Sequence, residues 1–259
     1  MKKALVTGAG QRLGRAMALY LGARGYDVAV HYATSAQGAN DVVAEITTMG
    51  GRAVALQADL LNEAEVETLV ARATEALGGP LTVLVNNASI FEYDNIYTVT
   101  RESWDRHIES NLRAPFVLTQ NFAVQVPDPV EDGMGEPIAQ GLVVNMLDQR
   151  IRKLTPEFMS YTIAKMGLWT LTQTAAQALA PRVRVNGIGP GPTLRGGRQS
   201  QSHFDRQRSA TILQRGSNIE DITAALGYLL DAKGVTGQMI AVDGGQHLAW
   251  QTPDVLGVE

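Results

Sequence analysis

Short runs of β-branched and aliphatic residues recur along the chain, and between them apolar residues fall at helical spacing. The runs near residues 3–7, 28–33, 52–57, 81–86, 141–146, 182–188 and 238–242 predict strands. The segments "LGRAMALYLGARG", "NDVVAEITTMGG", "EVETLVARATEALGG" and "WDRHIESNLRAPFVLTQNFAVQV" predict helices. Several end at glycine, the residue that takes left-handed backbone at a helix stop with least strain. Alternation of this kind predicts βαβ units wound onto a parallel sheet, an α/β fold with helices on both faces. Two segments break the rhythm and predict loops: "PDPVEDGMGEPIAQ" (127–140), read as a solvated insertion, and an arginine-rich stretch from Pro190 to about Gly216.

At 259 residues the chain is long enough to bury one large core, so a single domain over 1–259 is expected. A formal net charge of −4 offers no general attraction to nucleic acid or acidic lipid. The absence of cysteine excludes disulfides and thiolate chemistry, and is in keeping with a cytoplasmic setting. The opening "MKKALVTGAG" is interrupted by glycine within a few residues, so neither a signal peptide nor a membrane span is expected there.

The first strand runs into "TGAGQRLG", Thr7 to Gly14, and then into a helix. Backbone N–H groups at such a helix N-terminus face a pyrophosphate, and glycines let the backbone approach it. The alternative is a glycine turn used only for packing; the order strand, turn, helix, strand favours the dinucleotide. After the second strand the chain reads "VAVHYATSA", with no acid before Asp41 to hold a ribose 2′-hydroxyl. That absence favours NADPH over NADH. His31, Thr34 and Ser35 are candidate partners of a 2′-phosphate, with Arg12 adding charge nearby; a half-buried strand-end histidine is the other reading of His31.

Tyr161 and Lys165 in "YTIAK" are four apart and share one face of a helix. An ammonium there favours the phenolate and eases release of the proton. The spacing alone also suits a solvated helix face, but it has company: "TGAGQRLG", "QADL" with Asp59, "NNAS" from Asn86 to Ser89, "SNLRAPF" with Asn111, and "VRVNGIGPGP". In that order the set resembles the short-chain dehydrogenase/reductase family over essentially the whole chain, through "TGQMIAVDGG". The resemblance implies a doubly wound Rossmann-type domain and a proton relay of Asn111, Tyr161 and Lys165. It also implies cofactor contacts at Gly8, Gln11, Arg12, Leu13, Asp59, Leu60, Asn87, Ala88, Ser89, Pro190 and Gly191, shared with Tyr161 and Lys165. No metal is implied. A homotetramer built through the helices near 101–124 and 156–179 is implied, as is a substrate lid over 190–216.

Two departures narrow the resemblance. Arg12 stands where the family's glycine motif has its middle glycine, and Asp148 in "NMLDQR" stands thirteen residues before Tyr161, where a serine is usual. Both recur in pteridine reductases, as does an aromatic residue at the place of Phe91, where it stacks the pterin. Arg12, Ser89, Phe91, Asp148 and Tyr161 are thus the expected substrate wall. A carboxylate beside a developing oxyanion would repel it, whereas beside a C=N bond it accepts N–H bonds, favours an iminium or passes a proton. The expectation is an NADPH-dependent reductase of a pterin-like substrate such as dihydrobiopterin, dihydromonapterin or dihydrofolate. Two alternatives stand: a carbonyl reductase acting on, for example, a 3-oxoacyl thioester, and a dinucleotide sensor without turnover. At single residues other roles are open: Asp148 paired with Arg12, Arg150 or Arg152, Phe91 as a core aromatic, Arg12 as a phosphate contact alone, Ser89 and Asn111 as caps. Four arginines of the lid, Arg195, Arg198, Arg206 and Arg208, face one acid, Asp205, and suggest either steering of an anionic substrate or a solvated loop.

Overall fold

The computed structural model describes residues 2–197 and 199–252. Strands β1 (Lys3–Val6), β2 (Asp27–Tyr32), β3 (Ala53–Gln57) and β4 (Val83–Asn86) alternate with helices α1 (Arg12–Ala23), α2 (Ala36–Thr48) and α3 (Glu63–Leu77). Helix α4 (Arg101–Ile108) passes through a π-helical turn, Glu109–Arg113, into α5 (Ala114–Gln125). A hairpin of β5 (Val130–Glu131) and β6 (Pro137–Ile138) precedes β7 (Gly141–Met146). Helix α6 (Met159–Leu179), β8 (Val183–Pro190), α7 (Gln201–Ser209), α8 (Ile219–Asp231) and β9 (Met239–Val242) follow.

Seven strands form one parallel sheet in the order β3-β2-β1-β4-β7-β8-β9. The order reverses between β1 and β4, and the crevice above that switch point is where an open α/β sheet receives its ligand. Each strand feeds both faces, because successive side chains point to opposite sides. Leu5 and Leu84 join Leu69, Leu118 and Phe122 on one face, while Val6 and Val85 join Met17, Val30, Ile46 and Leu226 on the other. Burial of each such side chain stabilises the fold by about 1.5–3 kcal/mol. Helix α3 stops where the pattern predicts: Gly78 takes φ 69°, and the N–H groups of Gly78 and Gly79 donate back to Glu75 and Thr74. No helix among the described residues is long and apolar enough to cross a membrane.

The seven sheet strands fall where the sequence predicts them, but both predicted loops contain structure. The 127–140 insertion closes a two-stranded ribbon. In the arginine-rich stretch, Ser200 caps α7 by accepting from the His203 N–H at 3.2 Å. Helix α7 buries none of its residues and so leaves no apolar periodicity to read.

Candidate active site

The glycine turn is built by close approach. A Cβ on Gly14 would lie 2.2 Å from the Gly8 carbonyl oxygen, so only glycine lets α1 start against the end of β1. Thr7 Oγ1 accepts from the N–H groups of Asn87 and Ala88 at 2.9 and 3.0 Å, and Asn87 Nδ2 donates to the Thr7 carbonyl at 2.8 Å. The turn and the end of β4 are thereby one unit. Arg12 has φ 54°, the left-handed conformation a glycine would take without strain. Its guanidinium donates to the carbonyls of Arg195 and Leu194 at 3.0 and 3.2 Å, which ties the turn to the loop after β8.

A cavity of about 470 Å³ opens beside this turn, lined by Gly8, Gln11, Arg12, Leu13, Thr34, Ser35, Asn87, Ala88, Ser89, Pro190 and Gly191. It reaches Asp148, Tyr161 and Lys165 at its far end. A dinucleotide fits this groove: the first N–H groups of α1 have no intrahelical acceptor, and the flanking glycines leave room for phosphate. Gly191 is needed as well, since a Cβ there would sit 2.6 Å from Asp243 Cα.

Three expected cofactor contacts are not on the cavity wall. His31 is buried, its Nδ1 accepting from the Gly8 N–H and its Nε2 donating to the Ala58 carbonyl, each at 3.0 Å. Burial lowers its pKa to about 4, so the ring is neutral and fully occupied by backbone. It props the glycine turn and does not face a 2′-phosphate. Asp59 and Leu60 do not line the cavity: Asp59 Oδ1 accepts from the Leu61 N–H at 3.0 Å, and Leu60 is in the core.

At the chemical end, Tyr161 donates its hydroxyl to Asp148 Oδ2 at 2.9 Å, and Asp148 Oδ1 accepts from the Arg150 N–H at 2.8 Å. Among the described residues no cation forms an ion pair with Asp148. Arg12 is held by the loop carbonyls, Arg150 donates to Thr155 Oγ1 at 2.9 Å, and Arg152 reaches the Met239 carbonyl at 3.4 Å. Desolvation raises the Asp148 pKa against the pull of its hydrogen bonds. Lys165 is buried, donates Nζ to the Met146 carbonyl at 2.7 Å, and has its pKa lowered to about 8 by desolvation. Tyr161 is raised well above its ordinary value, by burial first and then by the Asp148 charge. This reverses the expected acidification by Lys165. The ammonium stands 5.7 Å from the centre of the phenol ring, while the carboxylate contacts the hydroxyl directly and wins.

Asn111 lies in the π-helical turn, where its Oδ1 accepts from the Ile90 N–H and its Nδ2 donates to the Ile90 carbonyl, both at 2.9 Å. It is a clamp on the segment after β4 rather than a helix cap. Ser89, at the start of that segment, is exposed on the cavity wall and donates its hydroxyl to the Ile90 carbonyl at 3.4 Å. Phe91 is 45% exposed, which removes it from the core. Its ring stacks on Phe158 at 4.3 Å with 9° between planes, and meets Tyr161 edge-on at 4.7 Å. Phe158, with Arg150 lying 4.8 Å above its ring, was not a candidate from the sequence; its place three residues before Tyr161 was the available signal. A second cavity of about 710 Å³ continues from this wall beneath the 190–216 loop, sharing Arg12, Phe91 and Asp148 with the first. In that loop Arg208 donates to the carbonyls of Pro192 and Ser217 at 2.8 and 2.7 Å, so it holds the loop's base and is no anion clamp. The expectation for Arg198 lies outside the described residues.

A family profile described as enoyl-(acyl carrier protein) reductase matches residues 8–247. The chain belongs to the short-chain dehydrogenase/reductase family. Such a reductase is an NAD(P)-dependent oxidoreductase, and NADP(H) is the cofactor the groove accepts. The 3-oxoacyl-(acyl-carrier-protein) reductase FabG of Staphylococcus epidermidis is 32% identical over 252 residues, 95% of this chain and 99% of that protein. Among solved structures, the FolM alternative dihydrofolate reductase 1 of Brucella suis, in complex with NADP, is 42% identical with TM-score 0.90, covering 98% of each chain. Its Brucella canis counterpart, complexed with NADP, is 41% identical with TM-score 0.89 and the same coverage.

Proposed function

We propose that this short-chain reductase uses NADPH to reduce a C=N bond in a pterin-type ring, with dihydrofolate, dihydrobiopterin and dihydromonapterin as the substrate class. One observation carries this: the Asp148 carboxyl, in no ion pair among the described residues, sits 2.9 Å from the Tyr161 hydroxyl at the mouth of an aromatic-walled cavity. Bound NADPH supplies the hydride. The protein's own part is to present a proton to the adjacent ring nitrogen, and a carboxyl whose pKa is raised by burial retains that proton closer to neutrality than an ordinary aspartate does. A proton given up to the ring nitrogen is passed across the Tyr161–Asp148 bond and replenished from solvent through the open cavity. Phe91 and Phe158 supply a flat wall for a ring, and Thr34 and Ser35, not an acid, stand where the 2′-position is selected. The similarity to FolM dihydrofolate reductases supports the same reading; the FabG similarity supports a carbonyl substrate, against which the Asp148 charge stands.

The test is NADPH oxidation across 7,8-dihydropterins, dihydrofolate, acetoacetyl thioester and simple ketones. Turnover of the pterins above the others is expected; preference for the thioester would overturn the reading. The 190–216 segment is the proposed lid. A homotetramer is the proposed assembly, because Trp104, Phe116, Ile163 and Met166 leave apolar surface on α4, α5 and α6, and light scattering reads its mass directly.

A further inference from the structure

Immediately behind Tyr161 lies a second polar cluster that the reaction above does not use. Asp94, His107 and Ser160 are each at most 1% exposed, and they come from three separate elements: the strap after β4, helix α4, and the first turn of α6. The Glu92 N–H donates to His107 Nε2 at 3.1 Å, which leaves Nδ1 carrying the proton, 2.7 Å from Ser160 Oγ. Ser160 in turn donates its hydroxyl to Asp94 Oδ2 through a short contact, and its N–H to Asp94 Oδ1 at 3.2 Å. The Phe158 N–H donates to the Asp94 carbonyl at 2.8 Å. The acid, hydroxyl and imidazole are all present, yet the order is wrong for a nucleophile. The hydroxyl lies between the other two, its proton faces the acid, and no solvent reaches it.

What the array touches is more informative. Its strap end carries Phe91 and Tyr93, its helix end carries Phe158 and Tyr161, and the His107 ring meets the Tyr161 ring edge-on at 6.0 Å. Tyr93 packs edge-on against Phe158 at 5.2 Å, so the two ends also meet above the array. We infer that Asp94, Ser160 and His107 are positioning residues that set the aromatic wall and the Tyr161 hydroxyl at a fixed separation. The His107 Nε2 bond holds the wall, and the Nδ1 bond holds the helix end bearing Tyr161. A buried chain in which every link is made has one geometry, and a displacement of about 1 Å in a reacting group costs about a hundredfold in rate. Burial keeps His107 neutral, which the Glu92 N–H bond requires.

The two ring nitrogens allow the halves to be separated. In His107→Asn the amide N–H replaces Nδ1, so the link to Ser160 survives and the link to Glu92 is lost; in His107→Gln an amide oxygen reaches the Nε2 position and the reverse holds. With dihydrobiopterin as substrate, His107→Asn should raise KM severalfold with kcat within twofold. His107→Gln and Ser160→Ala should lower kcat about tenfold or more. NADPH binding, read by cofactor fluorescence, should stay within twofold in all three and reports that they fold. Parallel changes in kcat and KM that scale with loss of thermal stability, or unchanged kinetics in Ser160→Ala, would overturn the assignment. The inference rests on the pterin reading only for the assay. If wild type reduces acetoacetyl thioester and not dihydrobiopterin, that reading fails, and the same variants measured on the thioester still decide whether the array positions Tyr161.

Discussion

Two histidines, both out of solvent, mark the difference between the two halves of the crevice. His31, under the glycine turn, has backbone on both ring nitrogens and supports a surface whose shape and backbone N–H groups receive a dinucleotide. His107, under the catalytic helix, reaches backbone with one nitrogen and a side-chain chain with the other. On the cofactor side the specificity lies in close approach: Gly14 against Gly8, Gly191 against Asp243, Thr7 against Asn87. On the substrate side it lies in ionisable groups moved from their ordinary values, Asp148 and Tyr161 upward and Lys165 down to about 8. A cofactor common to a whole family can be held by shape, while the reaction must be specified by charge.

The largest effect that would break this division is Tyr161→Phe. Loss of the proton donor should lower kcat by about 10²–10⁴ with NADPH affinity nearly unchanged, checked by stopped-flow turnover and fluorescence titration. A weakened cofactor would mean that Tyr161 belongs to the binding surface instead.

Asp148→Ser comes next. It replaces an anion by a neutral donor, so pterin reduction should fall by about tenfold or more while carbonyl turnover rises, because the developing oxyanion no longer meets a carboxylate. Steady-state rates on dihydrobiopterin and acetoacetyl thioester measure both, and a rise in pterin turnover would remove the charge argument.

The third is a stability effect on the cofactor side. His31 has a folded pKa of about 4, below its unfolded value of 6.5, so the unfolded chain binds the extra proton between these limits. The stability linked to His31 is therefore present above about pH 6.5 and lost as pH falls toward about 4, with a slope of at most ~1.4 kcal/mol per pH unit. Urea unfolding at pH 7 and pH 5 should show this loss in wild type and a flatter response in His31→Gln. Asp148 contributes with the opposite sign, since its raised pKa means the folded state holds the proton and loses stability as pH rises through that shift. The smallest expected effect is Arg12→Gly. Relief of a left-handed arginine, of order 1 kcal/mol or more, offsets the two exposed hydrogen bonds at about 0.5–1.5 kcal/mol each, so the melting temperature should hardly move. KM for substrate should still rise a few-fold, because the 190–216 loop loses its tether.

Much of this comparison was legible in the chain. The glycine turn, Asn87, Tyr161, Lys165 and the unusual Asp148 line one cavity, as the order of motifs along the strands and helices suggested, whereas Asn111 lies behind it as a clamp on Ile90. His31 was misread because alternation along β2 places a side chain on a face without saying whether that face ends in solvent or under a turn. Phe158, helix α7 and the Asp94–Ser160–His107 array were missed for a related reason: none carries a repeating apolar pattern, and their partners are distant in sequence, by 66 residues from Asp94 to Ser160.

By itself the sequence determined the strands and their alternation with helices, the family, and the presence of a carboxylate where carbonyl chemistry has no use for one. These follow from local periodicity and residue chemistry, which need no partner. Only the tertiary structure decided that Asp148 forms no ion pair among the described residues, that it and not Lys165 governs the Tyr161 hydroxyl, and that His31 faces inward. Each of those depends on burial and on a distance across the fold, and a proton's free energy is set by which charge is nearest and how little water lies between.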